Sequence, residues 1–334
     1  MMKFTTSFRT YRHGYHMRIK IAVYLSFVFF LVGCESIAIQ MTPKKEAEFS
    51  TNRLAHQAES LFWETLHSGN YSGIPESERL LTAAYIENPN DPRISSHLGF
   101  LHIWKITERN RVHPVPPTII NEIILSKYYF ADAFQLNPGD ARIHGFFGDT
   151  QLISGKISHD EREQVHGYFT LKKAIRAWPE FNYFTAGYPM SDLSPQSTHY
   201  KEGLAWQWET LNLCAGTKVN HQNPSFAAYL YRNTQIGSQR ACWNSWIAPY
   251  NYQGFFLNMG DMLVKSGDWR TAIKIYKNAR LERSYSKWPY RNLLESRIKN
   301  ARNNVKNFQR SYTSPDKTIL FNSGYGCVAC HQKS

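Results

Sequence analysis

The chain has 334 residues, 42% hydrophobic and 15% aromatic, with 39 Lys and Arg against 26 Asp and Glu for a formal charge of +13. A chain of this length can bury a substantial core, and its aromatic content points to a dense one. It contains no nucleophile elbow, phosphate-cradling loop or dinucleotide fingerprint, so those motif-defined enzyme classes find no support in it.

At the N-terminus, Arg18 and Lys20 precede an apolar run over residues 21–33 that ends in Leu31-Val32-Gly33-Cys34. A basic region, a short apolar stretch and a small residue before a cut are the order of a secretory signal. The run is shorter than the roughly 17–25 residues of a spanning helix. Leu-Val-Gly-Cys resembles the lipobox of bacterial lipoproteins. That resemblance implies a signal peptide over residues 1–33, with Met17 the more typical start, and acylation of Cys34 as the mature N-terminus. Glu35 is not the aspartate that retains many such lipoproteins in the inner membrane. The expected location is therefore the outer membrane, facing the periplasm, with the periplasmic face of the inner membrane as the alternative. Several acyl chains would make a firm anchor. Residues 34–50 would be the lipidated end and a linker.

Residues 51–310 read as helical. Phe256-x-x-Met259-Gly260-x-x-Leu263 followed by Ala272-x-x-x-Tyr276-x-x-Ala279 resembles the tetratricopeptide repeat, in which two antiparallel helices meet at a small residue. Weaker copies place an alanine five residues before Pro89, Pro138 and Pro179, where the second helix of such a repeat closes. Leu98-Gly99 and Gly145-Phe146 would then lie on first helices. The proline spacings exceed the ordinary repeat of about 34, so insertions are required, and Thr107 to Asn121 is the expected insertion loop. His159 and His166 flank an acidic stretch without H-E-x-x-H spacing, which favours a solvated helix terminus over a metal site. Residues 180–250, dense in Trp, Tyr and Pro, break the pattern and read as an irregular insert with helices near Ser197–Leu213 and Pro224–Asn233. Within it, Cys214 and Cys242 are the thiols that no other motif claims. An exported chain makes a disulfide the economical reading, with two buried free cysteines as the alternative. Apolar positions at helical spacing in residues 284–310 fit a terminal capping helix.

Removing Lys3, Arg9, Arg12, Arg18 and Lys20 with the signal leaves 34 basic against 26 acidic residues, or +8. From Lys265 to Arg310 there are 13 Lys and Arg against three acidic residues. Such a field would steer an acidic redox partner or hold anionic head groups, and its bland reading is a solvated helix face. Nucleic acid is not an expected partner in the periplasm.

The last segment, 311–334, carries Cys327-Val328-Ala329-Cys330-His331. C-x-x-C-H resembles the haem-attachment motif of the cytochrome c family. The resemblance implies one covalent haem c, held by thioethers at Cys327 and Cys330 with His331 as proximal iron ligand. A zinc tail or a free redox dithiol are the other readings. The family's downstream methionine and fold do not carry over, because nothing of that kind follows the motif. Any sixth ligand would come from Met190, His199, His221, Met259 or Met262, or be absent. A tail too short to fold alone would dock on the aromatic repeats or on a partner.

The whole is expected to be all-α: a tetratricopeptide-like helical-hairpin solenoid with an aromatic-rich insert and a short C-terminal haem-attachment tail. Three functions compete. The first is electron transfer or haem-based sensing, with the repeats binding a protein partner such as an acidic redox protein. The second is an outer-membrane scaffold whose tail binds metal or acts as a dithiol. The third is a haem enzyme such as a peroxidase.

Overall fold

The computed structural model describes residues 36–310 and 325–334, so the signal and acylation site at residues 1–34 lie outside the described residues. The chain divides into residues 1–46 and residues 47–334. In the first unit, residues 36–41 form a helical stretch in which Thr42 Oγ1 donates to the Ala38 carbonyl at 2.9 Å. The second unit holds the remaining described helices.

That unit is helical, with no strand among the described residues. Its long helices are α1 (Arg53–Ser68), α2 (Ile74–Glu87), α3 (Pro92–Thr107), α4 (Ile119–Leu136), α5 (Ala141–Ser158), α6 (Glu161–Ala177), α7 (Pro179–Ser191), α8 (Thr198–Ala215), α9 (Asn251–Ser266), α10 (Trp269–Asn278) and α11 (Arg291–Arg310). Local chemistry sets many of their starts. The side chains of Asn52, Asp91, Asp140, Asp160, Ser197 and Asp268 each accept a first-turn backbone N–H. Pro92 and Pro179 open α3 and α7, where a missing N–H costs nothing.

Helices α1/α2, α3/α4, α5/α6, α7/α8 and α9/α10 pack as sequential pairs, and α11 lies across α9 and α10. Most of the connections within pairs are short, which makes the partners antiparallel. Within α9/α10 the contact is close because Gly260 has no side chain. A Cβ there would stand 2.2 Å from the Tyr276 ring. The main core runs through the pairs from Phe62, Leu98 and Trp104 to Phe256, Ile275 and Tyr276, all essentially inaccessible. Burying such a side chain contributes about 1.5–3 kcal/mol relative to exposure.

Residues 180–250 differ from the expected irregular insert. Their first part is a regular pair, α7/α8, and only residues 216–250 are irregular, containing 3₁₀ turns at Ala227–Arg232 and Ser238–Cys242. Pro189 is tolerated because it lies in the last turn of α7 and interrupts a single backbone hydrogen bond. The expected helix at Pro224–Asn233 is therefore only a 3₁₀ turn. Asn278 ties this region down, accepting from Phe226 N at 2.8 Å and donating to the Pro224 carbonyl at 2.6 Å. Cys214 and Cys242 stand at disulfide distance, with Cα atoms 5.7 Å apart. The expected loop of Thr107 to Asn121 is shorter, residues 108–118 between α3 and α4, and contains a 3₁₀ turn at Arg109–Arg111. His159 ends α5 in the left-handed region and His166 is exposed on α6, so both sit at solvated helix surfaces. No described helix is long and apolar enough to cross a membrane.

Candidate functional site

Cys327 leads into α12 (Val328–His331), a four-residue helix with no independent stability. Its polar groups are satisfied by residues far away in sequence. Glu108, fully buried at the end of α3, accepts the Cys327 and Val328 N–H groups on Oε1 at 2.8 and 3.2 Å. Its Oε2 pairs with Arg111 Nε at 2.9 Å. The carboxylate thus meets the positive end of the helix and a guanidinium, while burial pushes its pKa up. Trp288 Nε1 donates to the Ala329 carbonyl at 2.8 Å, and Tyr250 N to the Cys330 carbonyl at 2.9 Å. Lys333 N donates to the His67 carbonyl at 2.6 Å. Tyr290 donates to Gln332 Oε1 at 3.1 Å.

A second anchor precedes the motif. Asp261 on α9, fully buried, accepts the hydroxyls of Tyr276 and Tyr325 and pairs with Arg297 of α11 at 3.2 Å. Burial and the Asp261 charge push both phenols up, so each stays a donor. The described tail, residues 325–334, is therefore packed into the helical unit.

The two thiols face different walls. Cys327 is half-buried, its Sγ 3.6 Å from Thr107 Oγ1 and packed beside the cluster containing Phe100, Phe134, Phe146 and Phe147. Cys330 is 5% exposed and rests against α9, where a Cβ at Gly254 would come 2.2 Å from its Sγ. Burial pushes the Cys330 thiol up to about 12. Burial and the nearby Glu108 charge also raise Cys327. Both thiols are protonated at neutral pH, the opposite of the depressed values that make a dithiol reactive.

His331 is oriented by its backbone neighbour. Nδ1 lies 2.8 Å from the Ile247 carbonyl, which can only accept, so Nδ1 carries the proton and Nε2 keeps its lone pair. Burial holds the imidazole pKa down at about 4, so the ring is neutral. His67 Nε2 shares the same carbonyl at 3.3 Å. Phe100 meets the His331 ring edge-on at 5.5 Å and begins a chain of half-buried rings, with Phe146 at 5.6 Å and Phe181 a further 6.0 Å on. This set fits a covalent haem. It has two thiols on one helical turn, a neutral imidazole with its second nitrogen tied to a carbonyl, and an adjoining aromatic surface. Among the described residues no three His, Cys, Asp or Glu side chains are arranged to hold a bare metal ion.

The expected sixth-ligand candidates are dispersed, and only Met259 shares the core cluster of Val328 and Ala329. Met190 packs on Gly203 and Met262 beside Tyr200, while Met259 is buried in the main core. His199 is exposed 3.5 Å from Glu202, and His221 stacks on Trp208 at 3.8 Å. Sequence reading did not find Glu108, Gly254, Asp261 or the Ile247 carbonyl.

No protein-family model, curated protein or solved structure matches this chain.

Proposed function

We propose that this chain is an exported, lipid-anchored haem c protein whose stacked helix pairs form a tetratricopeptide-like solenoid that seats the haem and binds a partner. Cys327 and Cys330 hold the group covalently and His331 Nε2 is the proximal ligand. The observation that carries the reading is the His331 Nδ1 bond to the Ile247 carbonyl, which leaves Nε2 unprotonated on a ring met edge-on by Phe100, the same phenyl cluster that Cys327 packs against. When bound, haem supplies one-electron chemistry or a site for a small gaseous ligand, so the role is electron transfer or haem-based sensing. The chain's own contribution is to fix the imidazole tautomer, to exclude water with the Phe100–Phe146–Phe181 rings, and to hold the motif through Glu108 and Asp261.

The dithiol alternative finds no help in the site, because burial raises both thiols. Export is supported by the N-terminal signal order and by a cysteine pair at disulfide distance. Cys34 would carry the acyl chains and put the protein on the periplasmic side of the outer membrane.

Expression with a haem-maturation system followed by haem staining of a denaturing gel tests the central claim. Stain that survives boiling and vanishes in Cys327→Ser/Cys330→Ser is expected, and a colourless protein of unmodified mass after maturation refutes it. For the anchor, Cys34→Ala should shift the protein from the membrane to the soluble fraction.

A further inference from the structure

The basic excess near the C-terminus is concentrated on one face of two helices. On α10, Arg270, Lys274 and Lys277 recur at helical spacing and are exposed. On α11, Lys299, Arg302 and Lys306 do the same. The two rows adjoin. Trp269 lies under both Arg270, at 4.4 Å, and Arg302, at 6.0 Å, so one indole is shared between the helices. Arg270, Lys277, Lys299, Arg302 and Lys306 form no ion pair among the described residues. Arg280, by contrast, is neutralised by Glu295.

We infer that this α10/α11 face is the docking surface for an acidic protein, a proposal that rests on the haem reading for the partner's class, an electron carrier. Like charges this dense cost self-repulsion, which an acidic surface relieves. The choice of protein over bilayer follows from what the face lacks. A membrane-bound amphipathic surface sets bulky apolar groups among its cations. Here the exposed large apolar side chains among the described residues end at Ile247, before α9 begins. A face whose exposed side chains are polar and mostly cationic, with its one indole, Trp269, part-buried beneath Arg270 and Arg302, suits a transient, electrostatically steered encounter.

The position suits the haem as well. Arg297 of α11 bonds Asp261, which bonds Tyr325, two residues before Cys327. Trp288 and Tyr290, just before α11, hold Ala329 and Gln332.

The test is binding of flavodoxin, an acidic electron carrier, to the purified full-length protein, with and without matured haem, across a salt series. The expected result is an affinity that falls with salt and weakens about 10- to 100-fold in Lys299→Glu/Arg302→Glu/Lys306→Glu. The matched reversal Arg162→Glu/Lys173→Glu/Arg176→Glu, on exposed positions of α6, should leave the affinity within about twofold. Equal loss in both triple variants would reduce the effect to net charge and overturn the assignment. Absence of binding by the wild-type protein would overturn it too. So would tighter, variant-sensitive binding to mixed phosphatidylcholine and phosphatidylglycerol vesicles or to duplex DNA. Circular dichroism of each variant guards against unfolding. Because the binding arm runs without haem, its failure is distinct from failure of the haem proposal.

Discussion

Glu108 offers the sharpest test of how the tail is seated. Glu108→Ala strips the acceptor from two backbone N–H groups at 2.8 and 3.2 Å and leaves the Arg111 guanidinium without its carboxylate. Each abandoned donor costs about 1–3 kcal/mol, and breaking a buried pair costs about 3–5 kcal/mol in total. Seating should weaken by that amount, raising the undocked population by about a hundredfold to several thousandfold. Glu108→Gln keeps an oxygen for both donors. Because burial already raises the carboxyl's pKa, the neutral amide should cost only about 1 kcal/mol. Alkylation of Cys330 in protein purified without haem maturation, together with amide hydrogen exchange at residues 327–331, reads the seating directly. Equal protection in wild type and Glu108→Ala, or equal loss in Ala and Gln, would refute the argument that this carboxylate holds the motif. The sign with pH is also fixed. A raised folded pKa means that the folded state holds its proton more tightly, so stability from Glu108 is full below the unfolded value and declines as pH rises through the folded one. Acid should not release the tail through this residue.

Other perturbations separate the remaining contributions. Gly254→Ala should unseat the tail, since its Cβ would overlap Cys330 Sγ, and the gain of up to about 1 kcal/mol of helix propensity on α9 is too small to offset the lost seat; fast Cys330 alkylation with a lowered melting temperature is the expected pair of readings. His97 on α3 stacks on Phe62 at 4.1 Å, and burial, helped by Arg93, lowers it to about 3. Its stability contribution is therefore full above the unfolded value near 6.5 and lost as pH falls toward 3. His97→Asn should flatten the pH dependence of the urea midpoint in that window, by up to about 1.4 kcal/mol per pH unit. Replacing Cys214 and Cys242 by Ser should lower stability by about 3–4 kcal/mol, and non-reducing peptide mapping of the wild type should recover the two joined; two free thiols there would contradict the pairing.

The helix pairs were legible because their punctuation is local. Asn88, Asn137 and Trp178 follow the last residues of α2, α4 and α6, each just ahead of the prolines that marked the ends. Gly260 against Tyr276 was readable for the same reason, since a small residue at fixed spacing implies close approach. The helix expected near Ser197–Leu213 is α8, but α7 was harder, because Pro189 and a high density of aromatic residues look irregular until the position of the proline in the last turn is known. The motif itself could be read, but its seat could not. Glu108 lies 219 residues from Cys327, and the Ile247 carbonyl that orients His331 belongs to a backbone group with no side-chain signature.

The tail also changes how the helical unit should come apart. A row of helix pairs in which each touches only its neighbours unfolds piecemeal, with energies that add along the row. Here the C-terminal residues join the end of α1, through Lys333 and His67, to the beginning of α9, through Cys330 and Tyr250. That clasp closes a loop of 183 residues, from His67 to Tyr250, and the entropy lost in closing it must be met before the contacts form. The pairs can therefore form early and independently, with the clasp last. Once it is shut, fraying at either end of the row breaks contacts at the other, so melting becomes a single cooperative event.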